Sequence, residues 1–266
     1  MKIIVCIKQV PGTNKVNIDP VTGTLMRTGV NSKLNPYDLY ALEAAFELSE
    51  RFGGSVTTIT MGPPQAKSVL EESIWMGAEE GILLSDRAFG GADVAATSYC
   101  LSLGVEKVGD YDIIICGKQT TDGDTAQVGP ELAEKLGIEH AANVLDIIDC
   151  DGKTITLSVD LDGVIQTQKM TLPCLITAEK DMNTPRLPSY NRRKVANEKQ
   201  IRTYSSAHFP NADMSQLGLN GSPTKVERIF PPAVREGGRI LDGSADELSD
   251  ALLDILKQGK FIKEAE

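Results

Sequence analysis

Short apolar runs alternate with helical patterns along the first 180 residues of the chain. The runs are dense in Ile, Val, Leu or Thr, while the longer segments between them repeat apolar side chains at the spacing of one helix face. This alternation predicts a parallel sheet wrapped by helices. The predicted strands span residues 2–7, 55–61, 80–84 and 112–116. One predicted helix follows the N-cap residue Asn35, and the others span residues 65–76, 92–108 and 125–136.

The pattern changes after residue 143 to strands that are separated by Asp-Gly pairs. The pairs Asp151-Gly152 and Asp162-Gly163 are typical of tight turns in antiparallel hairpins. The sheet is therefore predicted to be mixed. The strands predicted in this part span residues 144–149, 154–160, 164–171 and 175–177.

After Arg186 the chain becomes rich in Pro, Gly, Asn and Ser, with weak periodicity until an amphipathic helix predicted at 245–257. Such a segment has too little apolar material to fold alone, so we expect it to lie on a partner, with packing on its own core as the alternative. The predicted domains are an α/β nucleotide-binding domain, residues 1–186, and a partner-recognition loop with a C-terminal arm, residues 187–266.

Composition narrows the function. The formal net charge of -10 argues against a nucleic-acid binder, although residues 186–202 form a local basic stretch that is either a solvated loop or a partner contact. The five cysteines form no CxxC pair, which favours a reducing compartment. No run of 18 apolar residues and no signal peptide pattern occurs, so we expect a cytoplasmic protein without membrane insertion.

The strongest local signal is the segment 113–130, in which an apolar strand runs into a polar loop and then a helix start. Backbone N–H groups at a helix start bind anions, so a phosphate or pyrophosphate fits there. Asp122 and Asp124 would repel phosphate, so we expect them to cap the helix or point away, leaving Thr125 and Gln127 for the ligand. An ordinary capped helix start is the alternative.

Several familiar sites are absent. The sequence has no GxGxxG, GxxxxGK[ST] or SGGxDS motif, which disfavours a standard dehydrogenase, a P-loop ATPase and an ATP-cleaving synthetase. His140 and His208 are isolated, so neither a hydrolytic triad nor a zinc site is predicted. No catalytic side chain is expected, and redox chemistry would need a bound cofactor.

Three further loops follow predicted strands, at residues 5–11, 60–66 and 84–93. Ligands of open α/β sheets gather at the carboxyl ends of the strands where the strand order reverses. Gly90 and Gly91 permit close backbone approach to a ligand, Arg87 offers a planar cation, and Ala66 leaves room for a second nucleotide.

Four segments of the sequence resemble the electron-transfer flavoprotein β subunit, and the resemblance covers nearly the whole chain. They are VCIKQVPGT, NPYDLYALEAAFEL, GKQTTDGDTAQVGPELAEKLG and LDGVIQTQKMTLPCLITAEKDMNTPR. The resemblance implies a Rossmann-like three-layer α/β/α fold of the adenine-nucleotide α-hydrolase-like class, with a mostly parallel sheet, an antiparallel hairpin addition and a C-terminal arm. It also implies pairing with an α subunit that holds a separate mobile FAD.

Family members differ in what this site binds. Ordinary members carry AMP, whereas bifurcating members carry a second FAD with NADH stacked beside its ring. The segments MGPPQA, LLSDRAFGGAD and DGDTAQVGP look like the bifurcating kind. That resemblance implies that electrons from NADH pass to the α-subunit FAD, then to a partner dehydrogenase, and to ferredoxin. A non-bifurcating subunit with structural AMP is the alternative. A nucleotide-sensing module of universal-stress type fits the fold but not the hairpins or the arm.

The resemblance also carries site residues over. Those implied for the adenosine and flavin pocket are Cys6, Lys8, Asn35, Asp38 and Met61. Those implied for the ribose and phosphates are Cys116, Asp122, Gly123, Thr125, Ala126, Gln127 and Val128. Those implied near the flavin ring and nicotinamide are Gly62, Gln65, Arg87, Phe89, Ala92 and Asp93, with Thr97 in the same cofactor-binding set.

The segment 187–194 departs from the family pattern, which usually has an aromatic residue directly after the Pro-Arg pair. Tyr190 is the candidate docking anchor. The partner is expected to be a flavin-dependent dehydrogenase of the acyl-CoA type or the lactate (hydroxyacid) type.

Overall fold

The computed structural model of the chain describes residues 1–12, 32–227, 238 and 240–262. Contacts divide it into a compact unit, Met1–Glu227, and a second unit, Arg228–Glu266. The strands are β1 (Lys2–Cys6), β2 (Gln9–Pro11), β3 (Ser32–Leu34), β4 (Ser55–Met61), β5 (Glu80–Leu84), β6 (Ile113–Gly117), β7 (Glu139–Cys150), β8 (Thr154–Asp160), β9 (Ile165–Thr171), β10 (Cys174–Ala178) and β11 (Ile201–Tyr204). The helices are α1 (Pro36–Phe52), α2 (Lys67–Met76), α3 (Val94–Val108), α4 (Val128–Leu136), α5 (Tyr190–Val195) and α6 (Ala245–Gln258).

The main sheet has the strand order β11-β5-β4-β1-β6-β10-β7-β8-β9. The strands from β11 to β7 run parallel, and β8 and β9 are antiparallel to their neighbours. From β1 the chain moves outward through β4 and β5, then returns to β6 on the other side of β1. The strand order therefore reverses between β1 and β6, where a ligand crevice is expected.

Two apolar layers enclose the sheet, which confirms the predicted α/β/α class. One layer contains Leu42 of α1 and Leu70 of α2, and the other contains Leu101 of α3 and Leu132 of α4. The central strands are apolar on both faces because both are covered: Ile113, Ile114 and Ile115 of β6 are fully buried.

The predicted hairpins are confirmed as the antiparallel strands β7, β8 and β9. Strand β7 is longer than predicted, because it begins at Glu139 and its first residues pair in parallel with β10. The polar residues Glu139 and His140 weaken the strand pattern there. Asn143, at a φ of 57°, lies near the register shift between β10 and β7.

Three predicted helices begin later than expected. Residues 64–66 form a 3-10 turn before α2, and Asp93 caps α3 from outside the helix. Helix α4 begins at Val128 instead of residue 125, because Asp124 and Ala126 have positive φ angles that a right-handed helix excludes.

The first part of the predicted arm packs on the sheet. Strand β11 pairs in parallel with β5, and Phe209 and Leu217 are buried in the same layer as α3 and α4. The short helix α5 and strand β11 were not predicted, nor was the small β2–β3 sheet. The assignment of residues 187–266 to partner contact stays a prediction.

The second unit contains α6, which confirms the predicted amphipathic helix. Ser244 and Glu247 form a capping box at its start. Leu252, Leu253 and Ile255 are exposed. In the described parts of the chain, we find no helix with the length and apolar content that a membrane crossing requires.

Candidate nucleotide-binding site

The ends of β1 and β6 lie side by side at the point where the strand order reverses. Cys6 and Cys116 are paired across these strands, and both are buried. The hydrogen bond with Cys6, together with burial, raises the pKa of the Cys116 thiol well above its usual value. The Cys116 thiol therefore stays protonated and uncharged beneath the loops.

A buried amide joins the start of α1 to the loop after β6. Asn35 is 0% exposed; its Nδ2 donates to the Gln119 carbonyl at 2.9 Å and to Asp38 Oδ1 at 2.8 Å. The Thr121 N–H donates to Asn35 Oδ1 at 3.3 Å. The Asn35 amide thus holds the loop by donating to one backbone carbonyl and accepting from one backbone N–H group.

Asp38 completes this contact from the other side. Its Oδ2 accepts the Lys8 backbone N–H at 2.7 Å, so the same carboxyl group also holds the segment after β1. Burial raises the pKa of Asp38 to about 7, against the lowering effect of the hydrogen bonds from Asn35 and Lys8. The carboxyl group therefore changes charge near neutral pH.

The Lys8 side chain reaches across the crevice to the same loop. Its Nζ lies 2.8 Å from Asp122 Oδ1 and 3.4 Å from Thr120 Oγ1. Burial acts to raise the pKa of Asp122, but the contacts with Lys8 and Thr120 outweigh it, and the pKa is lowered. Asp122 is thus an ionised carboxylate neutralised by a cation, so its charge facing the site is reduced.

The loop then leads to an uncapped helix start. Gln127, the N-cap residue of α4, makes no side-chain cap, and Asp124 instead accepts a hydrogen bond from Gln119 Nε2. Neither Asp122 nor Asp124 caps the helix, so the expectation of a cap from these residues is wrong, and their turning away from a phosphate stays a prediction. Thr125 and Gln127 are exposed. Backbone N–H groups of the first helical turn without a side-chain acceptor fit an anion such as a phosphate.

The loop after β4 lies beside the segment that follows β1. Gln9 Nε2 donates to the Gln65 carbonyl at 3.1 Å and to Ser68 Oγ at 3.0 Å, which joins β2 to the start of α2. Met61 and Gly62 are half-buried, and the Gln65 residue is exposed. These residues keep accessible surface at the carboxyl edge of the sheet.

The loop after β5 is fastened to the segment that follows β11. Asp86 Oδ2 accepts from Ser206 Oγ at 2.6 Å, and that bond lowers the pKa of Asp86. Asp93 Oδ1 accepts from the Ala96 N–H at 3.1 Å, and Asp93 Oδ2 accepts from the Thr224 N–H at 2.9 Å. Both carboxylates therefore shape the loop.

The remaining residues predicted near the flavin ring differ in accessibility. Phe89 is 3% exposed and lies in the apolar layer with Phe209 and Leu217. Arg87 is exposed and makes no side-chain hydrogen bond or ion pair with any described residue. Ala92 and Thr97 are half-buried at the start of α3. Arg87 is therefore the available cation of this loop.

Helices α3 and α4 bring two of these loops towards each other. Ser98 Oγ in the first turns of α3 donates to Glu131 Oε2 in the first turn of α4 at 3.3 Å. The starts of the two helices, and with them Thr97 and Val128, thus lie on the same side of the sheet. Within the described ranges, no cluster of three or more His, Cys, Asp or Glu residues is suited to a metal ion.

Comparison with known proteins identifies the family. The family model described as the electron transfer flavoprotein domain matches residues 22–207. Electron transfer flavoprotein subunit beta of Clostridium acetobutylicum is 43% identical over 262 residues, 98% of this chain and 100% of that protein. This chain belongs to the electron-transfer flavoprotein β-subunit family. Protein FixA of Azorhizobium caulinodans is 42% identical over 266 residues, 97% of this chain and 95% of that protein. Caffeyl-CoA reductase-Etf complex subunit CarD of Acetobacterium woodii is 45% identical over 266 residues, 98% of this chain and 100% of that protein.

Some residues that build the site in this electron-transfer flavoprotein β subunit were missed from the sequence. Gln9, Ser98 and Glu131 connect elements that are more than 30 residues apart in the chain, and their polarity alone gave no signal. The polar partners of Asp86 and Asp93 lie beyond residue 200, outside the predicted domain.

Proposed function

We propose that this chain is the β subunit of an electron-bifurcating electron-transfer flavoprotein, with FAD at the β1–β6 crevice and NADH beside it. The main observation that supports the proposal is the start of α4, where no side chain caps the helix. It lies at the reversal of strand order, where Lys8 neutralises Asp122 and the loop before the helix is held by Asn35. This arrangement suits the phosphates of a dinucleotide.

The residues fit the two ends of FAD differently. Thr125, Gln127 and the N–H groups of Val128 and Gly129 would hold phosphates, and Met61, Gly62 and Gln65 would border the ring system. When bound, FAD would supply one- and two-electron transfer, for which protein side chains have no equivalent. The side chains would orient the cofactor and set the local charge, with Cys116 as an uncharged thiol.

A nicotinamide nucleotide beside the flavin is supported by the loop after β5. Its Arg87 is exposed and without an acidic partner in the described chain, so it is available to an anionic phosphate. The fastening of this loop by Asp86 and Asp93 makes it a pre-formed wall. A non-bifurcating subunit with AMP at the same crevice would use the α4 start but leave this wall without a ligand.

Partner contacts are proposed at three exposed surfaces. Val164 and Ile165 at the β8–β9 turn and the apolar residues of α6 are exposed, which suits an α subunit. Tyr190 of α5 is 69% exposed beside the cations Arg192, Arg193 and Lys194, which suits an acidic docking surface on a dehydrogenase. The name of the Acetobacterium relative favours a dehydrogenase of the acyl-CoA type over the lactate type. Ferredoxin is the proposed second acceptor.

Cofactor analysis tests the proposal. The chain would be co-expressed with its α subunit, and the extracted nucleotides would be identified by absorbance and chromatography. Two FAD per heterodimer and no AMP are expected; one FAD and one AMP would overturn bifurcation and leave the AMP-binding alternative.

A matched pair of variants locates the second cofactor. Lys8→Met should lower the content of one nucleotide per heterodimer, because it leaves Asp122 without its cation near the α4 start. Lys33→Met, which changes an exposed lysine of β3, should retain both nucleotides. Equal nucleotide content in the two variants would contradict the placement at the β1–β6 crevice. NADH-dependent ferredoxin reduction by the wild-type complex with its dehydrogenase is the next measurement.

A further inference from the structure

Asn35 and Asp38 have almost no surface to offer a ligand. Asn35 is 0% exposed and Asp38 is 4% exposed. Pro36 and Tyr37, between them in the chain, are half-buried and thus partly accessible. Any direct contact of α1 with a nucleotide is therefore expected from residues 36–37 and not from the two buried polar side chains.

Each polar side-chain atom of these two residues has a hydrogen-bond partner inside the protein. The two N–H donors of Asn35 Nδ2 face Gln119 and Asp38, and its Oδ1 accepts from Thr121. Asp38 accepts on each oxygen, from Asn35 and from the Lys8 backbone. Gly117 is packed against Asp38, since a Cβ there would lie 2.3 Å from Asp38 Oδ1. We call this group, Asn35 and Asp38 with the backbone of Lys8, Gln119 and Thr121, the amide clamp.

We propose that Asn35 and Asp38 are positioning residues: the amide clamp sets the conformation of residues 118–127, and the carboxylate of Asp38 selects the orientation of the Asn35 amide. The proposal rests on the proposed nucleotide site at the start of α4. The orientation matters because Asn35 offers an acceptor to Thr121 and a donor to Gln119. A flipped amide would turn a donor towards the Thr121 N–H and an acceptor towards the Gln119 carbonyl, and both contacts would be lost.

Protonation of Asp38 changes what holds the Asn35 amide in its orientation. Protonation places an O–H donor on one carboxyl oxygen, so that oxygen becomes a weaker acceptor of the bond from Asn35 or of the bond from Lys8. The other charged or titratable groups near it are the Lys8 ammonium group, whose attraction favours the ionised form, and the Cys116 thiol. The clamp is therefore complete when Asp38 is ionised and loosens as the pH falls through about 7.

The test measures the protection of the loop from hydrogen exchange and the affinity for nucleotide separately in the full-length chain. Hydrogen exchange of residues 118–127 is followed without nucleotide, and AMP and FAD are each titrated by calorimetry. Asn35→Ala should lower both the protection of the Thr121 amide and nucleotide affinity roughly tenfold or more, since two hydrogen bonds to the loop are lost. Asn183→Ala is the matched control, because it removes an amide that donates to the Tyr40 carbonyl of α1 without touching the loop.

A reciprocal exchange separates positioning from direct contact. Asn35→Asp alone places two carboxyl groups face to face. Asp38→Asn alone places two side-chain amide groups face to face. The double variant, Asn35→Asp with Asp38→Asn, restores a donor for the carboxylate and keeps acceptors for Thr121 and Lys8, but the carboxylate at position 35 cannot donate to the Gln119 carbonyl. We expect it to recover part of the Thr121 protection and of the affinity that each single variant loses, because the contact with Thr121 returns and the bond to Gln119 does not. In wild type, loop protection corrected for intrinsic exchange should fall below pH 7, and in Asp38→Asn it should not change with pH.

Several outcomes would overturn the inference. A loss of affinity in Asn35→Ala with unchanged loop protection would make Asn35 a direct ligand. A loss of protection with unchanged affinity would show that the clamp does not serve the site. If wild type binds neither AMP nor FAD, the proposed function fails; a protected, pH-sensitive loop in the same sample would then show that the clamp itself is present without that role. Circular dichroism of each variant identifies any that fail to fold.

Discussion

Replacement of Arg186 is expected to expose how much of the fold depends on one partly buried ion pair. Arg186 Nη2 donates to Glu43 Oε1 at 2.8 Å, and Nε donates to Glu43 Oε2 at 2.9 Å. Its Nη1 donates to Glu50 Oε1 at 2.6 Å, and its guanidinium group lies 4.8 Å from the centre of the Phe46 ring. The hydrogen bonds to Glu43 and Glu50 raise the pKa of Arg186 above its already high value.

The magnitude follows from the burial of the partner. The Glu43 side chain is 7% exposed and that of Arg186 is 28% exposed. Arg186→Met would leave the Glu43 carboxylate in a nearly dry site, which typically costs about 3–5 kcal/mol for a broken buried pair. We expect the lower end, about 3 kcal/mol, because Glu43 keeps the hydrogen bond from the Arg186 backbone N–H.

Urea unfolding followed by circular dichroism measures this loss in the full-length chain. Adding Glu43→Gln to Arg186→Met removes the unpaired charge and should recover about 1–2 kcal/mol. The matched control is Arg51→Met, which breaks an exposed ion pair with Asp149 and a contact with Phe52, and should cost about 0–1 kcal/mol. Equal losses for Arg186→Met and Arg51→Met, or a double variant no more stable than Arg186→Met, would refute the reasoning.

Two further predictions concern the crevice. Gly117→Ala places a Cβ 2.3 Å from Asp38 Oδ1 and 2.8 Å from the Tyr37 backbone carbon, so it should lower the free energy of unfolding by about 2–4 kcal/mol. The added Cβ of Gly123→Ala meets only Thr120 Oγ1, at 3.5 Å, so this variant should change the free energy of unfolding by about 0.5 kcal/mol or less. Similar losses for Gly117→Ala and Gly123→Ala would contradict the close packing of Gly117 against Asp38. Asp38 has a folded pKa of about 7 and an ordinary value of 3.8, so the folded state holds this proton more tightly than the unfolded state. Its contribution to stability should fall as the pH rises from about 4 to 7, by about 4 kcal/mol at most. Urea unfolding of wild type and Asp38→Asn across this range should show the smaller pH dependence in the variant; parallel profiles would show that Asp38 is not the titrating group.

The strands at the centre of the sheet could be predicted because their local pattern and their final environment agree. Residues 113–116 read as a buried strand, and Ile113 to Ile115 are buried on both faces. The start of α4 could not be placed from the pattern, since the helical sequence from Thr125 onward gives no sign that Ala126 has a φ of 55°. Backbone conformations of this kind depend on the surrounding loop and not on residue type.

Residues of the candidate site were predictable to the extent that their roles are local. Lys8 and Asp122 follow strand ends, and the structure joins them directly. Phe89 also follows a strand end, but its burial is decided by Phe209 and Leu217, more than 100 residues further along the chain. Asp93 was predicted to border the nicotinamide, and its hydrogen bond from Thr224 was not predicted, because Thr224 belongs to a segment without periodicity. Contacts between residues far apart in the sequence therefore account for most of the differences between the predicted and the observed surroundings of the site residues.

The sole tryptophan gives this chain an optical property that follows from its position. Trp75 lies near the end of α2; Arg193 of α5 covers its ring at 4.7 Å, and the Ser189 N–H donates to its carbonyl. The other end of α2 begins beside the loop at Gly62, and ten helical residues span about 15 Å. With FAD in the proposed site and its ring system beside Gly62, the indole would lie within range of resonance energy transfer. Its emission intensity would then report on occupancy of the proposed flavin site, while its wavelength would report on the solvation of α5.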